Sequence, residues 1–506
     1  MSADFDLIVV GAGINGAGIA RDAQGRGLRV LLVEQDDLAR HTSSSSTKLI
    51  HGGLRYLEHF HFGLVRKALQ EREVLLRLAP HIIRPLRLVM PHDPSMRPPW
   101  MIRAGLFLYD HLARRERLPA SSTVDLAAHP LGGPLRGGFR TGYVFSDAWV
   151  DDARLVVLNA LDAHERGATV LVRTRCVGAE RSARHWKVRL QPRGGAGECT
   201  VTARALINAS GPWAARLLEQ QLHLPAAHAL RLVKGSHIIV PRLFEHDHAY
   251  VLQNPDRRIV FAIPYERDYT LIGTTELDYA GDPAHAAIEA GEIDYLCQAV
   301  NRYFSRSITP PDVVHAYAGV RPLLDDAAGA AARVTRDYRL ELNTAGAPLL
   351  SVFGGKLTTY RRLAEEALAR LLPALGVAPT RQWTAGTPLP GGDIPGADLA
   401  QFCAALRTRF PWLPEATVLR LARAYGTRAD AVLRQARAPA ELGREILPGF
   451  FESELDYLRQ TEWALTAEDI LWRRTKLGLH VSAAQAAELA RALTAAPAPP
   501  PAAAGP

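Results

Sequence analysis

The feature that most constrains this chain is a glycine-rich turn between an apolar strand and a helix. Residues 6–10 (DLIVV) read as a buried strand, GAGINGAG as the turn, residues 16–26 as a helix and residues 29–34 as a second strand. Gly11, Gly13 and Gly16 supply G-x-G-x-x-G. The first glycine permits the tight turn, the second lets backbone approach a pyrophosphate, and the third lets helix and strand pack closely. The helix start then offers N–H groups and partial positive charge to phosphates. Glu34 closes the second strand, where a carboxylate accepts hydrogen bonds from a ribose 2′-hydroxyl. This unit binds a dinucleotide but does not by itself separate FAD from NAD. A simple nicotinamide enzyme places a second αβ unit soon afterwards. Here SSSSTKLIHGGLRYLE follows instead, and the remaining α/β pieces lie far downstream.

At 506 residues the chain exceeds one hydrophobic core, so two or three domains are expected. The four cysteines (Cys176, Cys199, Cys297, Cys403) form no C-x-x-C pair, which argues against a disulfide framework or a thiolate metal site. No metal is expected. The net charge of +8 suits an anionic substrate, nucleic acid or an acidic membrane surface without choosing among them. Helix-turn-helix, zinc and RNA-binding signatures are lacking, so nucleic acid is not an expected partner. The start, MSADFDLIVVGAG, has no basic stretch before an apolar core, so no signal peptide is expected. Eighteen apolar residues never run together, so no membrane span is expected either.

Further along, residues 63–79 and 151–165 have helical spacing, and 80–150 reads as loop-rich with many Pro, Arg and aromatic residues. Residues 168–172, 186–190 and 201–208 read as strands, and 231–275 as an antiparallel sheet. The Pro/Gly cluster PLPGGDIPG at 388–396 marks a boundary before short amphipathic helices, and APAPPPAAAGP is a low-complexity end.

On these residues the chain resembles the aerobic, FAD-dependent glycerol-3-phosphate dehydrogenases. The shared motifs run from DLIVVGAGINGAGIARDA through TSSSSTKLIHGGLRYLE, INASGPWA, VKGSHIIVP, GTTE, AGVRPLL and TRDY to FGGKLTTYR and the helical C-terminal part. The resemblance implies an α/β fold. Its parts are a Rossmann-like, glutathione-reductase-like FAD-binding domain (1–80, 150–230 and 311–375), an antiparallel-sheet substrate domain (81–149 and 231–310) and an all-helical C-terminal domain (390–494), with a disordered tail at 495–506. It also implies oxidation of sn-glycerol 3-phosphate to dihydroxyacetone phosphate, with electrons passed to a membrane quinone.

A phosphate dianion calls for cations, above all arginine. The resemblance places Arg55, Arg321 and Arg336 at the substrate, with Lys356 in the flavin-contacting segment and within reach of it. Oxidising a secondary alcohol removes a hydride and a proton, so a base of near-neutral pKa is needed. His237 is the preferred candidate and His51 the second, with Arg321 as an alternative group to stabilise the alkoxide. For the cofactor, Gly354 and Gly355 allow backbone to approach the ring. A helix starting near Thr358, after Lys356 and Leu357, aims its positive end at the flavin. Ser45, Ser46, Thr47 and Lys48 offer hydroxyls and N–H groups. Val177 is expected at the adenine, and Ser210 and Gly211 are expected to close the cofactor site.

The resemblance further implies a cytoplasmic protein bound peripherally to the inner membrane. Residues 97–117 (RPPWMIRAGLFLYDHLARRER) mix apolar and basic residues in a way that suits an anionic membrane interface or a core-packed helix. A homodimer is left open. Competing readings are glycerol-3-phosphate oxidase using oxygen, an amino-acid or 2-hydroxy-acid oxidase of the same fold, and a flavin-binding adaptor without turnover.

Overall fold

Two buried apolar runs, LIVV and VLLV, become adjacent parallel strands because neither has a polar face to turn to water. The computed structural model describes residues 3–94, 97–194, 197–226, 228, 230–324 and 337–495. In it, β1 (Phe5–Val10), α1 (Ile14–Gly25) and β2 (Val30–Val33) form the expected opening unit. The first sheet runs in the order Arg339–Asn343, Leu349–Phe353, Cys199–Asn208, β1, β2, Thr169–Leu171, and all neighbours except the first pair are parallel. Their carboxyl ends therefore share one edge of the sheet, the edge at which such folds bind ligands. On one face α1 packs with helices Asp152–Glu165 and Tyr360–Ala374. Gly18 lets the Tyr360 ring come close, since a Cβ there would lie 2.6 Å from it. Strands Thr174–Arg181 and Trp186–Pro192 extend antiparallel from Cys199–Asn208 and bury Trp186.

The second sheet is larger. Its central path is Leu277–Asp278, Leu230–Pro241, Tyr269–Gly273, Ile259–Tyr265, Ala249–Gln253, Ile83–Pro91, Thr141–Val150, Leu49–Ile50. It is antiparallel except where Ala249–Gln253 runs parallel to Ile83–Pro91. Leu230–Pro241 alternates strictly: Ile238 and Val240 meet helix Ala290–Asn301 on one face, while Ile239 joins the cluster holding helices Phe62–Leu78 and Pro99–His111 on the other.

Two expectations change. Residues 80–150 are not mainly loop: Ile83–Pro91 and Thr141–Val150 pair along nine residues each. Pro85 and the interspersed Arg84 and Arg87 disguise the first of these as coil, although Leu86 and Leu88 are buried. Residues 311–324 also do not return to the first sheet. His315–Leu324 pairs with Leu230–Pro241 over ten residues, and the first sheet resumes only at Arg339.

The C-terminal part has its own core, formed by Leu421, Tyr425, Phe450, Leu458 and Ile470 among others, on helices including Leu399–Arg409, Glu415–Tyr425 and Glu452–Thr461. It is fastened to the first domain by buried ion pairs. The Arg154 guanidinium meets the Glu462 carboxylate, and both are excluded from solvent. Nearby, His81 lies buried beneath Gly391 and Gly426. Burial, together with the Arg154 charge, pushes its pKa down to about 3. The neutral ring stabilises the fold fully above its unfolded pKa of about 6.5, and this contribution is lost as pH falls from there toward 3. At pH 5 the loss from His81 is about 2 kcal/mol. Urea unfolding at pH 7 and pH 5 checks this, because His81→Gln removes that share of the difference. An unchanged difference would reject the assignment.

Candidate active site

At the carboxyl edge of the first sheet lies a cleft of about 380 Å³. Every parallel strand end around α1 contributes to it. Gly11 and Gly13 come from the turn after β1, Ile14 and Asn15 from the first turn of α1, and Glu34, Gln35 and Asp36 follow β2. Ala209, Ser210 and Gly211 follow Cys199–Asn208, and Gly354, Gly355 and Leu357 follow Leu349–Phe353. Gly11 has φ +99°, a left-handed conformation that favours glycine, and a Cβ on Gly16 would lie 1.8 Å from the Gly11 carbonyl oxygen. α1 has no side chain of its own capping its first turn. The Ala12 N–H donates to Glu34 Oε2 (2.8 Å) and the Asp36 N–H to Glu34 Oε1 (3.0 Å), which orients this carboxylate at the cleft wall. A glycine cradle at a helix N-terminus with an acidic group at the next strand end fits the diphosphate and ribose of FAD.

Gly354 and Gly355 both have positive φ, and Asn15 Nδ2 donates to the Gly354 carbonyl (3.0 Å), tying α1 to this segment. A 3₁₀ turn, Leu357–Thr359, leads into helix Tyr360–Ala374, close to the expected helix start. The serine-rich loop behaves differently from its expectation. Ser46 Oγ donates to Asp152 (2.7 Å), and Lys48 forms a buried ion pair with the same carboxylate (2.7 Å). Ser45 packs against Gly319, where a Cβ would approach its own to 2.5 Å, and Thr47 bonds His237 Nε2 (2.9 Å). From this loop it is Thr42 and Ser43 that line the cleft, and Ser43 Oγ also accepts from the Ile14 N–H (3.0 Å). Within a run of four serines nothing in the sequence marks Ser43; Asn15 was hidden between the motif's glycines. Near the position expected for adenine, Thr174, Arg175 and Cys176 line the cleft, while Val177 sits half-buried at a bulge in the same strand.

A second cavity of about 560 Å³ lies between the second sheet and helix Pro99–His111, and takes in His51, Arg55, Tyr56, Asp147, Thr274, Glu276 and Arg321. It shares a wall with the first. Arg321 lines one and Pro322 the other, while Leu357 faces the cleft and the neighbouring Thr358 hydroxyl accepts from the His51 N–H (3.2 Å). Arg321 Nη2 donates to Thr274 Oγ1 (3.1 Å) and lies over Gly235, where a Cβ would come within 2.6 Å of it. The loop bearing His51 is pinned from behind. Buried Asp147 accepts from Arg72 Nη1 (2.8 Å), the Tyr109 hydroxyl (2.7 Å) and the Gly52 N–H (3.3 Å). Burial raises the Asp147 pKa against the opposing pull of Arg72. The Lys356 ammonium sits 3.9 Å from the ring centroid of Tyr56, which lines this cavity.

His237 is placed elsewhere. It is fully buried, stacked on Tyr317 with centroids 4.9 Å apart, and bonded to Thr47. Burial, then the charges of Arg321 and Lys48, hold its pKa well below the usual histidine value. His237, the histidine preferred from the sequence as proton acceptor, thus lines neither cavity, whereas His51 lines the second. Arg336 lies outside the described residues.

The mouth of the second cavity is apolar. Phe60, Phe62, Met101 and Leu108 line it, and Trp100 and Phe107 flank it on helix Pro99–His111. Phe60 is 78% exposed, Trp100 68% and Phe107 62%, so this face is a patch rather than part of the core. The basic end of the same segment is largely engaged by protein: Arg115 pairs with Asp110 and Arg117 donates to the Gly396 carbonyl (2.8 Å). No helix among the described residues is long and apolar enough to cross a membrane.

The family described as FAD dependent oxidoreductase matches residues 6–361, and the C-terminal domain of alpha-glycerophosphate oxidase matches 382–497. A glycerol-3-phosphate dehydrogenase of Pseudomonas aeruginosa is 53% identical, covering 97% of this chain and 95% of that protein. A D-erythritol 1-phosphate dehydrogenase of Brucella abortus is 50% identical, covering 95% of this chain and 96% of that one. Among solved structures, the glycerol-3-phosphate dehydrogenase of Bacillus halodurans, complexed with FAD, aligns with a TM-score of 0.78 at 28% identity, covering 97% of this chain and 90% of that one. The glycine cradle, the acidic strand end and the cation-lined cavity beside them thus occur in a chain that belongs to the FAD-dependent oxidoreductases, in the glycerol-3-phosphate dehydrogenase family.

Proposed function

We propose that this protein oxidises sn-glycerol 3-phosphate to dihydroxyacetone phosphate, using FAD held in the first cleft. The observation that carries this reading is the shared wall: a cavity whose lining includes Arg55, Arg321 and His51 abuts the dinucleotide cleft at Arg321, Pro322 and Leu357. FAD, when bound, supplies the hydride acceptor. Arg55 and Arg321 grip the phosphate, which needs concentrated cationic donors. Thr274 fixes the Arg321 guanidinium. His51 accepts the hydroxyl proton, and the Asp147–Tyr109–Arg72 network holds its loop in place. His237 supports the Thr47 loop rather than touching substrate. Lys356 serves the cofactor segment from beneath Tyr56.

A second substrate is favoured by the Brucella relative: a four-carbon polyol phosphate, for which a cavity of about 560 Å³ has room. Steady-state kinetics with glycerol 3-phosphate, erythritol 1-phosphate, glycine and a 2-hydroxy acid decides. The proposal expects the two phosphates to turn over and the carboxylates not to; turnover of a carboxylate alone would overturn it.

The electrons go to a quinone. The exposed aromatic mouth suits docking on the cytoplasmic face of the inner membrane, with the cavity opening toward lipid. The double variant Trp100→Glu with Phe107→Glu is expected to move the protein from vesicle-bound to free fractions in flotation with anionic vesicles, without loss of bound FAD. Undiminished flotation would reject this face. Peroxide release in place of quinone reduction would point to oxygen as acceptor.

A further inference from the structure

The helical C-terminal part is fastened to the first domain through buried charge. Those charges converge on one end of the cofactor cleft. The cleft wall there has two parts: the segment after β2, from which Glu34, Gln35, Asp36, Ala39, Arg40 and His41 line the cleft, and the strand start at Thr174, Arg175 and Cys176. The two parts are knitted by backbone bonds, Arg173 N–H to the Asp36 carbonyl (2.8 Å) and Thr174 N–H to the Glu34 carbonyl (2.7 Å).

Each part is gripped from behind by the same C-terminal stretch, residues 462–474. Asp37 is buried among cleft-lining neighbours, and its carboxylate accepts from Arg474 Nη1 and Nη2 (2.8 Å each) and from Arg473 Nε (2.5 Å). Arg173, immediately before the strand start, donates to Asp469 (2.6 Å), whose other oxygen accepts from Arg473 Nη2 (2.6 Å). Arg474 also donates to the Glu462 carbonyl (2.7 Å), and the Glu462 carboxylate meets Arg154 on a helix packed against α1. Opposite arms of one turn therefore hold both walls of the end that takes the nucleotide.

We propose that residues 462–474 clamp the adenosine end of the FAD cleft, with Asp37, Arg173 and Asp469 as positioning residues for cofactor retention. None of the three lines the second cavity, so the clamp acts on how tightly FAD is held and not on the chemistry. Removing one partner from such a network leaves buried charge uncompensated, so the segments it orders are released.

The test measures FAD dissociation by recovery of flavin fluorescence, alongside the thermal midpoint and kcat at saturating FAD. Asp37→Asn is expected to raise the FAD Kd at least tenfold with kcat within twofold of the parent. Arg173→Gln, which breaks a less buried arm, gives the same sign should Asp37→Asn fold poorly. Arg420→Gln serves as the control. It breaks the Arg420–Glu454 pair (2.5 Å) inside the C-terminal core and is expected to lower the thermal midpoint while leaving the FAD Kd unchanged. An FAD Kd within twofold of the parent in Asp37→Asn and Arg173→Gln overturns the proposal. So does a control that loosens FAD as much as they do, because that would mark a general loss of stability.

Discussion

Arg321→Ala is expected to lower kcat/KM for glycerol 3-phosphate about a thousandfold while leaving FAD bound. The guanidinium lines the substrate-side cavity, bonds to Thr274 and occupies the space that Gly235 leaves open. Truncating a charged partner of this kind costs 2–5 kcal/mol, and about 4 kcal/mol corresponds to a thousandfold. The effect is confined to the second cavity, because Pro322, not Arg321, faces the cofactor cleft. The flavin spectrum of the variant should therefore match the parent. A fully active Arg321→Ala would show that the phosphate binds elsewhere.

Gly16→Ala is expected to give a colourless protein, with affinity for FAD reduced at least a hundredfold. The added carbon would sit 1.8 Å from the Gly11 carbonyl oxygen and 3.3 Å from Ala209 Cβ. The first is a backbone atom and cannot rotate aside, so α1 must shift bodily from β1. That shift withdraws the helix N-terminus from the diphosphate position and disturbs the Glu34 carboxylate held by the Ala12 N–H. Gly63→Ala is the matched control. It lies in helix Phe62–Leu78 with nothing within 4 Å of its added carbon, so FAD content should not change. Stoichiometric flavin in purified Gly16→Ala would remove the helix-terminus account of the cleft.

How much of this was legible in the sequence depended on the range of the interactions. β1, α1 and β2 were readable because their signal is local: buried apolar runs and glycines at fixed spacing. The strands Ile83–Pro91 and Thr141–Val150 were not, because their stability comes from pairing across more than fifty residues and from burial on a sheet face. The destination of His315–Leu324 was likewise set by a partner strand some eighty residues earlier. In the site, the glycines and Glu34 could be located from backbone logic alone. The serine-rich loop could not be resolved, since which hydroxyl faces the cleft depends on Asp152 drawing Ser46 and Lys48 away. His237 looked like a base because it opens an apolar strand after Lys234 and Gly235. Only the packed structure reveals Tyr317 over its ring and the burial that, with the charges of Arg321 and Lys48, holds its pKa down. The Asp37 clamp had no sequence signal, because its partners lie more than four hundred residues away.

Anaerobic titration of the purified, FAD-loaded protein with sn-glycerol 3-phosphate tests the central claim most directly. The account predicts bleaching of the flavin absorbance near one equivalent of substrate, with dihydroxyacetone phosphate formed in step and colour restored by a quinone analogue. An oxidised flavin spectrum that stays unchanged at saturating substrate would contradict it.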